Sequence, residues 1–334
     1  MQILIIGGTR NLGHALAFDL LEAGHTVTVF NRGKTSDSLP AAVERRHGDR
    51  TDPAQLEAAL RGRDFDVVVD TALYRGVEAE AIIRLLRGRV GHYIFLSTGQ
   101  VYLVREGLKR PFTEDDYPGR LMPAPKRSTY AYEEWLYGIE KRKAEDALAV
   151  AWQETGFPYT ALRLPMVNSE RDHFYRLYSY LLRLRDGGPI LVPETPDYPL
   201  RHVYGGDVVR AIRLLITSGL GKGRAYNLSQ DETVPLDEFL RTLGGLLGVE
   251  PQIVRLRRSL LEANGFLPDC SPFSERWMSE LANDRSKAEL GLRYTPLPEY
   301  LARLVDHYTA HPPATPPASY RRRKAEIDFG LSRR

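Results

Sequence analysis

The first half of the chain alternates short apolar runs with amphipathic stretches, and this alternation is what most constrains the fold. The predicted strands cover residues 2–6, 26–30, 67–70, 93–97 and 159–163. The predicted helices between them cover residues 12–23, 53–60, 77–87 and 135–155. Apolar strands that alternate with helices form a parallel sheet covered on both faces. We therefore predict a doubly wound α/β domain over residues 1–167.

The pattern changes after this domain. Helices are predicted over residues 174–185, 207–217 and 236–247, with proline-rich loops and a short apolar piece at 189–192 between them. This predicts a smaller mixed α/β substrate region over 168–310, with parts of 200–230 joining the first domain. Residues 311–334 carry four prolines, at 312, 313, 316 and 317, and then the basic run 321–324. This composition indicates a C-terminal tail rather than core.

Composition narrows the function classes. The chain has 334 residues and a formal net charge of +3, which demands neither a nucleic-acid nor a membrane partner. The single cysteine, Cys270, excludes an internal disulfide and a multi-cysteine metal site. No histidine and carboxylate spacing is typical of a metal site, so we expect none. The sequence starts on an apolar strand without a basic leader and has no long apolar run, which predicts a cytoplasmic protein.

A glycine-rich segment follows the first predicted strand and opens a helix. It reads GGTRNLG over residues 7–13. Gly7 suits a tight turn and Gly13 a close contact between helix and strand, while Arg10 replaces the usual middle glycine. Such a turn, typical of Rossmann-type sheets, places a pyrophosphate on the helix N-terminus. The predicted cofactor contacts are Gly7, Thr9, Arg10, Asn11, Leu12 and Gly13.

The end of the second strand bears on the choice of dinucleotide. A ribose with a free 2′-hydroxyl is usually held by an acidic residue there. This chain has Asn31 and Arg32, and no carboxylate until Asp37. Arg32 can bind a 2′-phosphate through its guanidinium fork, with Arg10 in reach of the same group. We therefore favour NADP(H), with NAD(H) as the alternative.

Two further segments are predicted to contact the dinucleotide. Asp49 and Arg50 follow a short extended piece, where they could hold the adenine amino group. Thr71 and Ala72 end a strand beside the expected pyrophosphate.

Tyr137 and Lys141 stand four residues apart on a predicted helix, so their side chains share one face. An ammonium near a phenol favours the phenolate, which allows a tyrosine to act as a base near neutral pH. The spacing alone also fits an exposed helix that happens to carry a tyrosine. Tyr130 and Tyr132 have no lysine four residues later, so Tyr137 is the candidate.

Two more segments complete a resemblance. They read STGQVY at 97–102 and LRLPMV at 162–167. With the glycine turn and the Tyr137–Lys141 pair, they resemble the extended short-chain dehydrogenase/reductase family, which includes nucleotide-sugar epimerases and dehydratases. The resemblance spans nearly the whole chain. It implies a Rossmann-type sheet, Thr98 as the catalytic hydroxyl with Ser97 as support or substitute, and Pro165 near the nicotinamide.

The resemblance also implies a mechanism. Tyr137 would take the proton of a secondary alcohol while a hydride passes to nicotinamide C4, and would return the proton in the reverse reaction. Lys141 would hold the nicotinamide ribose. Gly99 and Gln100 occupy the places of the acidic pair of the family's dehydratases, so dehydration is not expected.

Substrate contacts are implied only by position within the family. Residues 168, 171, 173, 201, 202 and 255 fall where the family binds the diphosphate and sugar of its substrates. Asn168 and Arg201 are the selected candidates, with Arg201 as the preferred phosphate contact. His202 is expected to be a buried structural histidine rather than a ligand.

Three functions follow from the resemblance. The first is an epimerase or reductase acting on a hydroxylated or keto small molecule such as a nucleotide sugar, in a homodimer formed through helices 77–87 and 135–155. The second is an RNA-binding protein, because the GGTRxxG turn also resembles chloroplast RNA-binding members of a side branch. The third is a regulator that binds a dinucleotide without turnover. Some members of the branch lack the tyrosine or lysine, so retention of Tyr137 and Lys141 favours the enzyme.

Overall fold

The computed structural model describes residues 1–35 and 37–333, which form two compact units. The first unit consists of Met1–Pro165, Gly205–Ser229 and Leu281–Arg293. The second consists of Met166–Tyr204, Gln230–Glu280 and Tyr294–Arg334. The sequence prediction assigned residues 281–293 to the substrate region, whereas they fold with the first unit. Arg334, the last residue of the predicted tail, lies outside the described residues.

The strands are β1 (Gln2–Ile6), β2 (Thr26–Asn31), β3 (Glu44–His47), β4 (Phe65–Asp70), β5 (Val90–Thr98), β6 (Tyr159–Leu164), β7 (Val167–Asn168), β8 (Ile190–Pro193), β9 (Val203–Tyr204), β10 (Arg224–Asn227) and β11 (Ile253–Leu256). The helices are α1 (Asn11–Glu22), α2 (Pro53–Leu60), α3 (Gly76–Leu86), α4 (Gln100–Leu103), α5 (Tyr130–Thr155), α6 (Arg176–Arg185), α7 (Gly205–Ser218), α8 (Leu236–Leu247), α9 (Arg258–Ala263), α10 (Asp284–Leu290), α11 (Leu297–Ala310) and α12 (Arg323–Leu331). No helix in the described part of the chain combines the length and apolar composition that a membrane span requires.

The first unit is built on a parallel sheet. Seven strands of the described residues form it, in the order β10-β6-β5-β4-β1-β2-β3, and each neighbouring pair is parallel. Ile6 at the end of β1 lies opposite Phe30 of β2 and Asp70 of β4. The carboxyl ends of the strands therefore share one edge, where α/β sheets bind ligands. The predicted doubly wound α/β fold is confirmed.

Burial explains why the central strands were predictable and two others were not. β1 and β4 are continuous apolar runs because helices cover both faces of the sheet. β3 reads Glu-Arg-Arg-His at the edge of the sheet, and β10 is a short strand at the opposite edge. Neither carries an apolar run that would have revealed it. α5 begins at Tyr130 rather than 135 because Thr129 caps it, its Oγ1 accepting from the backbone N–H of Tyr132 at 3.3 Å.

The second unit contains α6, α8 and α11 around an apolar core. Leu181, Phe239, Leu240, Tyr300 and Leu304 are fully buried or nearly so in this core. Two small parallel pairs, β11 with β8 and β7 with β9, complete the mixed α/β region.

The expectation of a tail after residue 310 is wrong for α12, which contributes buried side chains to the second unit. Arg183 is fully buried, and its Nη2 lies 2.8 Å from Oε1 of Glu326. Arg323 is also buried and binds both oxygens of Asp186 at 2.6 Å. The composition of the segment suggested solvent exposure, but its arginines meet carboxylates and carbonyls supplied by other parts of the unit.

Candidate active site

The glycine turn between β1 and α1 has space only for backbone. Gly7 and Gly8 have φ angles of +106° and +86°, which glycine adopts readily. A Cβ would lie 2.1 Å from Oγ1 of Thr71 at Gly7, 2.8 Å from Cγ1 of Val29 at Gly8, and 2.7 Å from the Gly8 Cα at Gly13. The bare backbone therefore runs into the N-terminus of α1, as a pyrophosphate requires. The turn fits a bound dinucleotide.

The remaining residues of the turn lead into α1. Arg10 is exposed and extended, makes no side-chain cap to α1, and donates from Nη2 to Oγ1 of Thr35 at 3.1 Å. Asn11 begins the helix with a φ of +43°. Leu12 is buried beneath the turn, and Thr9 is half-buried.

Basic side chains follow β2, as predicted for a 2′-phosphate. Asn31 accepts at Oδ1 from the backbone N–H of Gly33 at 2.7 Å, and Arg32 is exposed. Hydrogen bonds from Thr51 lower the pKa of Asp49, and the charges of Arg32 and a neighbouring lysine lower it further. Arg32 therefore lies close enough to Asp49 to act on it electrostatically. The roles of these residues in cofactor binding remain predictions.

The side chain of Arg50 is occupied by an ion pair that the sequence did not reveal. Its Nη1 lies 2.7 Å and 2.9 Å from the two carboxylate oxygens of Asp70, and its Nε lies 3.4 Å from Glu78. Tyr93 donates to the same Asp70 carboxylate at 2.6 Å, and so does the backbone N–H of Ala72 at 2.9 Å. Arg50 thus secures the carboxyl end of β4, and the adenine contact expected of Asp49 and Arg50 stays a prediction. The sequence offered one signal for this ion pair, because Asp70 is a charged residue at the end of an apolar strand.

Thr71 continues from that strand end and ties β4 to β1. Both its backbone N–H and its hydroxyl donate to the carbonyl of Ile6 at 3.0 Å. Its Oγ1 also lies where a side chain on Gly7 would sit. Thr71 therefore shapes the turn whether or not it touches a ligand.

Lys141 is buried on α5 beside three aromatic rings. Its Nζ donates to the backbone carbonyl of Leu96 at 2.9 Å. The same atom lies 4.7 Å from the ring centroid of Phe95, 5.0 Å from that of Tyr74 and 5.8 Å from that of Tyr137. The side chain is 3% exposed, so the ammonium has little access to water. The structure thus brings Lys141 and Tyr137 onto one face of α5.

The protonation states differ from the sequence-based expectation. Burial lowers the pKa of Lys141 to about 7, against an opposing effect of Asp70. Burial also raises the pKa of Tyr137 well above its ordinary value; the nearby Tyr74 and Glu134 raise it further, and a hydrogen bond with Thr98 lowers it. Tyr137 is therefore a phenol at neutral pH. Lys141 is not among the groups that lower this pKa, and its expected role in favouring the phenolate stays a prediction.

Ser97 and Thr98 point to opposite faces of β5, as neighbours on a strand do. Thr98 meets Tyr137, whereas the hydroxyl of Ser97 donates to the buried carboxylate of Glu145. Glu145 forms an ion pair with Arg163 of β6, with Nη2 and Oε2 2.7 Å apart. Since Glu145 lies one turn after Lys141, this pair fixes α5 against the sheet. A role for Ser97 at the substrate remains a prediction.

The remaining predicted residues are divided between the two units. Pro165 is buried at the end of the first segment of the first unit. In the second unit, Asn168 is buried with its Nδ2 3.0 Å from Nδ1 of His202, and Arg201 donates to the carbonyl of Gln230 at 3.1 Å. Burial lowers the pKa of His202 to about 3, so it is neutral. Substrate contacts through Asn168 and Arg201 remain predictions.

A parallel sheet, a glycine turn after its first strand, and Thr98 grouped with Tyr137 and Lys141 at the carboxyl end of β5 define a dinucleotide-binding α/β protein. The model of the NAD dependent epimerase/dehydratase family matches residues 3–229. The chain belongs to this family, and the predicted resemblance to extended short-chain dehydrogenases/reductases is confirmed.

Two curated relatives differ in what they do. "Chloroplast stem-loop binding protein of 41 kDa b, chloroplastic" of Arabidopsis thaliana is 26% identical over 267 residues, which cover 76% of this chain and 65% of that protein. The chain therefore spans slightly less than two thirds of this relative. The "2'-dehydrokanamycin reductase" of Streptomyces kanamyceticus is 22% identical over 259 residues, covering 74% of this chain and 67% of that enzyme.

The crystal structure of dTDP-glucose 4,6-dehydratase from Bacillus anthracis in complex with NAD shares the fold. It superposes with a TM-score of 0.72 and 16% identity, covering 93% of this chain and 97% of the dehydratase. At this identity the likeness shows the fold alone. It leaves epimerase, reductase and dehydratase activities open.

Proposed function

We propose that the protein is an NAD(P)-dependent oxidoreductase or epimerase that acts on a hydroxylated or keto small molecule. The observation that carries the proposal is the grouping of Thr98, Tyr137 and the buried Lys141 on the sheet edge that also bears the glycine turn. A bound dinucleotide supplies or accepts hydride at nicotinamide C4. Family membership supports an enzyme of this kind.

The protein side of the chemistry is proton transfer. Tyr137 keeps its proton at neutral pH, since burial raises its pKa, and it is therefore equipped to protonate the oxygen of a ketone during reduction. Thr98, hydrogen-bonded to Tyr137, would donate to the same oxygen. Lys141 would hold the nicotinamide ribose. In the reverse reaction Tyr137 would take the same proton back from the alcohol.

The two residues that follow Thr98 bear on the reaction class. Gly99 supplies no acid, and Gln100 is an amide, so neither provides the carboxylates that water elimination needs. We therefore propose epimerisation or reduction rather than dehydration. The name of the 2'-dehydrokanamycin reductase supports a reduction, and that of the dTDP-glucose 4,6-dehydratase supports a nucleotide sugar.

NADP(H) is the proposed cofactor, and NAD(H) is the alternative. The exposed Arg32 and Arg10 next to the end of β2 support a 2′-phosphate. Membership of the NAD dependent epimerase/dehydratase family supports the alternative.

The RNA-binding alternative is favoured by the chloroplast relative but not by the basic run at 321–324. Arg322 donates to the carbonyl of Asn264 at 2.7 Å and lies 4.7 Å from the ring centroid of Phe266. Arg323 is buried against Asp186. Half of the run is thus committed to contacts within the second unit. Absence of RNA binding at low salt would remove the alternative.

We also propose that the protein forms a homodimer through α3 and α5. α3 and α5 pack together, and Gly76 permits this because a Cβ there would lie 2.8 Å from Cβ of Lys143. Val77 on α3 and Val150 on α5 are exposed, at 64% and 49%, which supports a second copy as their partner.

The experiment is Tyr137→Phe assayed with NADPH or NADH and a panel of keto sugars and nucleotide keto sugars. We expect a loss of turnover of roughly 100-fold or more, because the proton donor is removed. Dinucleotide affinity, measured by fluorescence of the bound reduced cofactor, should stay unchanged. Tyr132→Phe is the matched control, since Tyr132 stacks on Trp135 of the same helix at 5.7 Å. Wild-type turnover in Tyr137→Phe would overturn the proposal.

A further inference from the structure

A second polar pair lies directly beside the candidate catalytic tyrosine. Glu134 precedes Tyr137 by one turn of α5 and is half-buried. The side-chain amide of Gln100 donates both to the Glu134 carboxylate and, at 3.0 Å, to its backbone carbonyl. Gln100 is 7% exposed, so it is a fixed partner. The carboxylate is therefore held in one place by a neutral group.

Close packing of α4 on α5 produces this contact. Gly138 has no side chain, and a Cβ there would lie 2.7 Å from Cγ1 of Val104 and 2.8 Å from the Gln100 carbonyl. The two short distances show that α4 rests directly on α5 at this glycine. Gln100, the first residue of α4, is thereby brought to Glu134.

Glu134 has no ion-pair partner in the part of the chain that the structure describes. Within the described residues, no arginine, lysine or histidine forms an ion pair with it; its recorded side-chain partner is the neutral Gln100. The carboxylate nevertheless acts on the site, because it contributes to the raised pKa of Tyr137. The proton transfer assigned to Tyr137 and Thr98 makes no use of it.

We propose that Glu134 selects substrates that carry an ammonium group next to the reacting carbon, such as amino sugars and other vicinal amino alcohols or ketones. This inference rests on the proposed function. A hydrogen bond between two charged groups is about twice as strong as one between neutral groups, so an ammonium gains more than a hydroxyl from this carboxylate. An anionic group at the same position is repelled.

A matched pair of probes tests the selection. trans-2-Aminocyclohexanol and trans-1,2-cyclohexanediol differ in one group, an ammonium in place of a hydroxyl. Their affinities for the full chain are measured by ligand-observed NMR titration near neutral pH, with NADP⁺ bound and again without dinucleotide. We expect the wild-type protein to bind the amino alcohol about tenfold more tightly than the diol.

Two substitutions on α5 distinguish a local effect of the Glu134 carboxylate from the effect of removing any one negative charge from the helix. Glu134→Gln removes the charge and keeps an oxygen for the Gln100 amide, so the preference should disappear. Glu133→Gln removes the same charge from the exposed neighbour and should leave the preference intact. Circular dichroism checks that each variant is folded.

The results that would contradict this inference differ from the results that would contradict the proposed function. Failure of the wild-type protein to bind the amino alcohol more tightly overturns the inference without any variant, and a preference that persists in Glu134→Gln also overturns it. Failure of the proposed function would appear instead as absent dinucleotide binding and Tyr137-independent turnover. The probe comparison without dinucleotide still decides the role of Glu134 in that case.

Discussion

Replacing Lys141 by methionine should stabilise the protein near neutral pH while abolishing turnover. The ammonium is buried, with one hydrogen bond to the Leu96 carbonyl and two aromatic rings close by. Burial lowers the pKa of the lysine from its ordinary 10.5 to about 7. Methionine has a similar length and no charge to desolvate, so it removes the cost of burial.

The size of the effect follows from the pKa. The change from 10.5 to about 7, at about 1.4 kcal/mol for each pH unit, corresponds to a cost on the order of 5 kcal/mol. Methionine loses the hydrogen bond to Leu96, worth about 1–2 kcal/mol, and the cation–π contacts, worth about 1 kcal/mol. The free energy of unfolding should therefore rise by about 2 kcal/mol at or below pH ~7.

The sign of the pH dependence is fixed by the direction of the pKa change. Between pH 7 and 10.5 the unfolded lysine holds its proton and the folded lysine has lost it. The unfolded state then binds more protons, so the wild-type protein gains stability as pH rises through this window. By pH ~9.5 only about 1.4 kcal/mol of the cost remains. The folded lysine is then neutral and has no cation–π contact to lose, so this cost is about equal to the hydrogen bond to Leu96 that methionine loses. The variant should then be equal to or less stable than the wild type.

The assay is urea unfolding followed by circular dichroism on dinucleotide-free protein at pH ~6.5 and pH ~9.5. Lys143→Met is the control, because Lys143 is exposed on the same helix and pairs with Glu140 at the surface. It should change the free energy of unfolding by no more than about 0.5 kcal/mol at either pH. A Lys141→Met protein that is less stable at the lower pH, or a difference independent of pH, would refute the reasoning.

Three further tests, one of them with a matched control substitution, address separate parts of the structure. Gly13→Ala places a Cβ 2.7 Å from the backbone of the glycine turn. It should lower the free energy of unfolding by about 1–3 kcal/mol and weaken dinucleotide binding measured by calorimetry. Gly245 is a helical glycine with open space around it, so Gly245→Ala should raise the free energy of unfolding by up to about 1 kcal/mol in the same urea assay. Glu326→Gln leaves the buried Arg183 without its counter-charge and should cost about 3–5 kcal/mol in urea unfolding, while a small effect would mean that α12 is dispensable. Arg32→Ala should raise the dissociation constant for NADPH about tenfold and leave that for NADH unchanged, and an equal effect on both would contradict the 2′-phosphate contact.

The sequence predicted the parts of the fold that depend on local pattern. β1, α2 and α8 have the predicted bounds, because continuous apolar runs and a helical periodicity are properties of neighbouring residues. α12 was missed, because its stability depends on contacts between residues far apart in sequence. Arg183 and Glu326 are separated by more than a hundred positions, and each alone reads as a surface charge.

The candidate site was predictable in position but not in protonation. Four-residue spacing places Tyr137 and Lys141 on one face of a helix, and it says nothing about where the ammonium points. In the structure Nζ turns toward the Leu96 carbonyl and the rings of Phe95 and Tyr74, and burial rather than the ion-to-phenol distance sets both pKa values. The spacing of the two residues therefore predicts where they lie, whereas their pKa values depend on surroundings that distant parts of the chain supply.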